Sequence, residues 1–159
     1  MTMTRLAALL LTVTALATAA PVYADPTVPQ QDSSCTADLD GAATMPPGRN
    51  LPLVCRGGRW QQTTAPGDPS DRWVGFGPAM ALHGDGLRNP NLESGSWTAT
   101  PLDPDTTCAA TQQTVVSAGV LGSPVAAEGA PGQRLSLQVL PSLFDISMTG
   151  HCLWERAGD

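Results

Sequence analysis

Four cysteines, Cys35, Cys55, Cys108 and Cys152, carry the most definite chemistry in this chain. An even set of cysteines in an exported protein closes into disulfides. Three pairings are open to four thiols. The Pro/Gly-rich stretch between Cys55 and Cys108 favours Cys35–Cys55 with Cys108–Cys152. In the chain-entropy model the two loops contribute about 3 kcal/mol and about 4 kcal/mol, large against a total stability of roughly 5–15 kcal/mol. None of the four has the Cys-x-x-Cys spacing of a zinc site, so no metal is expected on them.

Two histidines could act as bases. His83 opens the sequence His83-Gly84-Asp85-Gly86, and His151 lies near the end of the chain. A hydrolase reading of the first would need a Gly-x-Ser-x-Gly nucleophile elbow, which the chain does not contain. The sequence around His83 reads instead as a tight turn closing a strand, with Asp-Gly supplying a positive φ. His151 falls on the polar face of a strand and reads as solvent-facing. Asp68, Asp71, Asp103 and Asp105 suggest calcium by type, but not by spacing, since the twelve-residue loop with its closing glutamate is absent. Nothing marks two carboxylates as the adjacent pair of a glycosidase. The residues therefore predict no catalytic set, no cofactor and no metal.

Four of the seven aromatic residues are tryptophans: Trp60, Trp73, Trp97 and Trp154. By strand parity Trp97 and Trp154 face a core. Trp60 and Trp73 flank a linker and are the candidates for an exposed platform, since a tryptophan on a β-surface can stack on a sugar or anchor a partner chain. Arg56 and Arg59, beside Trp60, would suit an acidic partner.

These side chains must be positioned by a chain that begins like an export leader. Arg5 precedes an apolar stretch from Leu6 to Ala20, and Val22-Tyr23-Ala24 offers small residues for cleavage. The run is shorter than the roughly 20 residues that cross a bilayer. Residues 1–24 are thus expected to be a signal peptide, leaving no transmembrane anchor after cleavage. The protein is then secreted or held at the cell envelope. The chain has 14 acids and 8 basic residues, all arginine, for a net charge of −6. Loss of Arg5 makes it more acidic still. Scattered arginines on an acidic chain exclude nucleic acid as a partner, because phosphate binding needs a clustered basic face. They argue equally against anionic lipid.

Residues 25–34 lack periodicity and read as a flexible tail. Residues 35–61 read as a disulfide-closed β-hairpin: Pro46-Pro47-Gly48 turns the chain, Leu51 to Cys55 alternates, and Trp60 starts a return strand. Residues 62–71 read as a linker. Residues 72–157 hold several short strands between turn residues, the pattern of a β-sandwich. Ala79 to His83, Leu92 to Leu102, Thr106 to Val116 and Arg134 to Leu140 are strand candidates. The clearest is the last. Phe144, Ile146, Met148, Gly150, Cys152 and Trp154 share one face, with a bulge expected at Gly150 and a hairpin through Pro141-Ser142-Leu143. The expected fold is all-β: a hairpin module followed by a sandwich-like domain.

The positions Cys35, Gly41, Leu53, Cys55, Gly58 and Trp60 resemble a short Cys/Gly/Cys/Trp unit of bacterial pilus-tip and other exported proteins. The resemblance implies a structural module and assigns no catalytic residue. In its alanine-rich leader and Ala-Asp-Pro junction, the chain is also similar to small secreted proteins of mycobacteria. The function expected is non-catalytic: binding, or a structural role, in the envelope or extracellular space. It would recognise an envelope protein or glycan through its surface around Trp60 and Trp73. The competing expectation is a small secreted hydrolase acting on envelope polymer or an exogenous substrate. A cluster of titratable side chains round one cleft would distinguish it.

Overall fold

Short β-branched and tryptophan-bearing runs between Gly/Pro turns favour pairing over helix, and the computed structural model is correspondingly all-β. The structure describes residues 26–64 and 67–158; the expected signal peptide, residues 1–24, lies outside them. Among the described residues, twelve strands follow one three-ten turn at Ala37–Leu39. They are β1 (Ala43–Thr44), β2 (Leu53–Arg56), β3 (Arg59–Gln62), β4 (Arg72–Val74), β5 (Gly77–His83), β6 (Gly95–Pro101), β7 (Ala109–Ser117), β8 (Val120–Leu121), β9 (Val125–Glu128), β10 (Leu135–Val139), β11 (Leu143–Gly150) and β12 (Cys152–Arg156). One sheet has seven strands in the order β10-β6-β12-β4-β1-β2-β3. The other has five, β5-β11-β7-β8, with β9 also on β7.

The two sheets share their chain at a corner. β11 lies between β5 and β7 in one sheet, and β12 lies between β4 and β6 in the other. The ribbon Leu143 to Arg156 therefore changes sheet at Gly150–His151. Its antiparallel neighbours change with it, β4 into β5 and β6 into β7. Gly75 N–H donates to the Cys152 carbonyl at 2.9 Å, and Leu102 N–H donates to the His151 carbonyl at 2.9 Å. Gly150 has φ +95°, and a Cβ there would run into the Thr107 carbonyl oxygen. A Cβ on Gly75 would lie 2.6 Å from the Gly150 oxygen. The Cys108–Cys152 disulfide closes this corner, and Cys35–Cys55 closes the hairpin. Both expected pairs are present.

Burial follows the strand parity with one shift. Ile146, Met148, Cys152 and Trp154 face the core as their alternation predicts. Phe144 does not: the register against β7 slips between Leu143 and Asp145, so Leu143 is buried and Phe144 is half-buried. Pro141-Ser142 is not a hairpin turn, because β10 and β11 belong to different sheets. Gln112, buried on β7, spans that gap. Its amide donates to the Gln138 carbonyl at 2.9 Å, and its Oε1 accepts from Leu140 N–H at 3.0 Å. A buried amide satisfied at both ends fixes the spacing of the layers without an orphaned polar group.

The hairpin is continuous with the larger sheet. β1 pairs with β2 on one side and, in parallel, with β4 on the other, so that Val54, Ala43 and Trp73 sit side by side on one face. Trp60 pairs with Cys55 on the opposite face, in a separate apolar cluster with Leu39, Ala42, Leu53 and Val74. Where the sequence reads as a flexible tail, the backbone is bonded to β3. Asp32 N–H donates to the Trp60 carbonyl at 2.8 Å, and Trp60 N–H donates to Ser33 at 2.9 Å.

Gly150→Ala is expected to destabilise the fold by at least about 2 kcal/mol, through strain and overlap at the corner. The tryptophans differ in their indole N–H groups. Trp73 donates to the Ser70 carbonyl and Trp97 to the Glu93 carbonyl, each at 3.1 Å, whereas the buried Trp154 Nε1 has no partner among the described residues. In urea titrations, Trp154→Phe should therefore cost about 1 kcal/mol less than Trp73→Phe or Trp97→Phe.

Candidate functional site

The register that aligns Val54, Ala43 and Trp73 makes the floor of a cleft. These three come from β2, β1 and β4, and the small Ala43 between two larger neighbours leaves a depression. Gly41 and Arg56 line the same cleft, two residues along from Ala43 and Val54. Asn50, Leu51 and Pro52 form one margin. The facing wall is the loop after β5, from His83 through Arg88, Asn89, Pro90 and Asn91. The cleft has a volume of about 470 Å³, inside the roughly 300–1,000 Å³ range of small-molecule sites.

The facing loop is held by its own residues. His83 N–H donates to the Asn91 side-chain oxygen at 3.0 Å, and Asn91 N–H donates to the His83 carbonyl at 2.8 Å. His83 Nε2–H donates to the Asn89 carbonyl at 2.8 Å, an acceptor that fixes which ring nitrogen carries the proton. Asn89 sits at φ 56°, which asparagine tolerates. Ser70 N–H then donates to the Asn91 carbonyl at 2.9 Å, joining the loop to the strand that carries Trp73.

The expected platform is not formed. Trp60 is 2% exposed and Trp73 1% exposed, and they lie on opposite faces of one sheet. Trp60 packs edge-on to Phe76, with ring centroids 5.9 Å apart. Large aromatic side chains flanking a short hairpin are the cheapest apolar area available to bury, and both clusters use one. Arg59 is exposed, but its guanidinium donates to the Asp32 carbonyl at 2.9 Å and pins the N-terminal segment. Arg56 alone of the four expected binding residues reaches the cleft as an exposed side chain. Trp73 contributes to its floor while remaining almost wholly covered.

The other chemistry-bearing residues are dispersed. Asp85 Oδ1 accepts from Leu143 N–H at 3.2 Å, and Gly86 N–H donates to the Leu143 carbonyl at 2.8 Å, so the 84–86 turn docks on β11. No positive φ is used there. The glycines are needed because a Cβ on either would lie 2.6 Å from Leu143 atoms. His151 is half-buried at the corner rather than solvent-facing. Its Nδ1–H donates to Asp103 Oδ2 at 2.5 Å, and its ring lies 5.4 Å from Phe76. Asp71 pairs with Arg156 at 3.7 Å. Among the described residues no three His, Cys, Asp or Glu side chains converge as metal ligands.

A second surface escaped the sequence reading. Val116, Val120, Leu121 and Val125, from β7 to β9, are exposed. They lie within a stretch from Thr106 to Ala127 that contains no charged residue. β8 and β9 are too short to show alternation, and only their pairing with β7 identifies them.

In comparisons with known proteins, the chain matches no family model, no curated protein and no solved structure.

The loop bonds are open to a direct test. His83→Ala removes the link to Asn89 and is expected to cost about 1 kcal/mol. Local opening should raise the rate of tryptic cleavage after Arg88 severalfold more than cleavage after Arg134, measured by mass spectrometry under native conditions.

Proposed function

We propose that this is an exported, non-catalytic binding protein of the cell envelope or extracellular space, and that the cleft above Val54, Ala43 and Trp73 is its recognition site. Two formed disulfides call for an oxidising compartment, and the leader-like residues 1–24 supply the route. Among the described residues no helix is long and apolar enough to cross a membrane. The partner is an envelope glycan or protein segment small enough at its point of contact to enter the cleft.

The observation that carries the reading is the cleft itself. Its floor is one continuous sheet face, its facing loop is bonded at both ends, and its volume of about 470 Å³ suits a compact ligand. The binding emphasis rests on how the imidazoles are used. His83 spends Nε2–H on the Asn89 carbonyl, and His151 spends Nδ1–H on Asp103. Each holds the fold in place. The likeness of Cys35 to Trp60 to a structural unit of exported proteins agrees with a scaffold that presents a surface.

The test is ligand-dependent stabilisation. Fractions of an envelope extract are added to the mature protein and its thermal unfolding is followed. Asn50→Trp and Val54→Trp, which fill the cleft from its margin and floor, are run in parallel. A binding fraction should raise the Tm of the wild type and leave both variants unchanged, and the ligand should be recovered chemically intact. Equal stabilisation of wild type and variants would place recognition elsewhere. Recovery of a cleaved ligand would establish the hydrolase.

A further inference from the structure

We propose that the part of the partner that enters the cleft, whether glycan or protein segment, is an organic anion with an apolar body, its charged end held by Arg56 and Arg88. The inference rests on the reading of the cleft as a binding site and adds the class of ligand. Arg56 ends β2 and Arg88 lies in the loop after β5, and both residues line the cleft. Both residues are exposed.

Most arginines of the described fold are already engaged. Arg49 donates to Gln62 at 2.9 Å and Arg59 to the Asp32 carbonyl at 2.9 Å. Arg72 pairs with Glu155 at 2.9 Å and Arg156 with Glu93 at 2.7 Å. Among the described residues, Arg56 and Arg88 have neither an ion pair nor a side-chain hydrogen bond, and both line the same cleft. Asp68 is the one carboxylate in that lining. This local excess of positive charge stands in a protein with 14 acids and 8 basic residues, and it is not used to hold the fold. Guanidinium groups bind carboxylate and sulfonate oxygens through paired N–H donors. The remainder of the lining fixes the rest of the ligand. Val54, Leu51, Pro52 and Pro90 offer apolar contact.

The probe is anilinonaphthalene sulfonate, compared in fluorescence titrations with the uncharged N-phenylnaphthylamine. Both are run on the mature protein carrying Val116→Ser and Val120→Ser, which removes apolar surface away from the cleft. The sulfonate is expected to bind about tenfold more tightly than the neutral dye. Arg56→Gln and Arg88→Gln should each weaken the sulfonate about tenfold and leave the neutral dye unchanged. Arg134→Gln, an exposed arginine outside the cleft, should change neither. Equal affinity for the two dyes, no sulfonate binding, or indifference to both arginine substitutions would overturn the inference. If Asn50→Trp and Val54→Trp still abolish neutral-dye binding in that case, the cleft stands as a site and only its charge preference falls. If those variants change nothing, the cleft reading falls too.

Discussion

Three neighbouring ribbons of this protein must change sheet at one place, and that constraint organises the molecule. The central ribbon turns at Gly150–His151 while its neighbours turn at 75–76 and 102–108. At the crossing, backbone approaches backbone: the Gly150 site borders the Thr107 carbonyl, and Gly75 borders the Gly150 oxygen. Only residues without a Cβ fit such contacts. A disulfide between Cys108 and Cys152 spans the same point. The apolar side chains that leave the corner, Met148 and Ile146 on one side and Trp154 on the other, then enter one common core. Closing the two sheets over that core removes Trp73, Trp97 and Trp154 from water.

The corner also builds the cleft. β4 and β5 form one ribbon, bent at Gly75. β4 carries Trp73 into the floor, and β5 carries His83 into the facing wall. The geometry of the bend therefore sets the opening between them. The hairpin strands β1 and β2 widen the floor by adding Ala43 and Val54 to the same sheet face. The bonds among His83, Asn89, Asn91 and Ser70 keep the wall at a fixed distance. A site assembled from sheet backbone and a doubly anchored loop is preorganised, so binding there need not order mobile segments first.

The all-β class, both disulfide pairs and the inward face of the last strands were legible in the sequence, because period-two alternation and cysteine number are local signals. Phe144 was misplaced because a bulge shifts parity by one residue without leaving a local mark. The irregularity at Gly150 was legible, and the register against β5 does shift between Met148 and Gly150; the change of sheet that follows was not, because a glycine within a strand signals close approach but not what approaches it. Strands β1, β8 and β9 were invisible, being only two to four residues long. The platform of Trp60 and Trp73 failed because proximity to a linker says nothing about which sheet face a residue occupies. The pairing of Ala43 with both Val54 and Trp73 decides it. Arg56 was legible as a candidate, whereas Arg88 was not. Arg88 becomes significant only once the fold brings it to the same cleft as Arg56, with no acid paired to either among the described residues.

Hydrogen–deuterium exchange of the protein, compared with a Cys108→Ala/Cys152→Ala variant, tests the claim that the corner unites the two sheets. In the intact protein the amides of Gly75 and Leu102, which donate across the corner, should be among the slowest to exchange. In the variant, protection should fall together in β4, β6 and β12 and in β5, β7 and β11. Loss confined to one sheet, with the other still fully protected, would contradict the account.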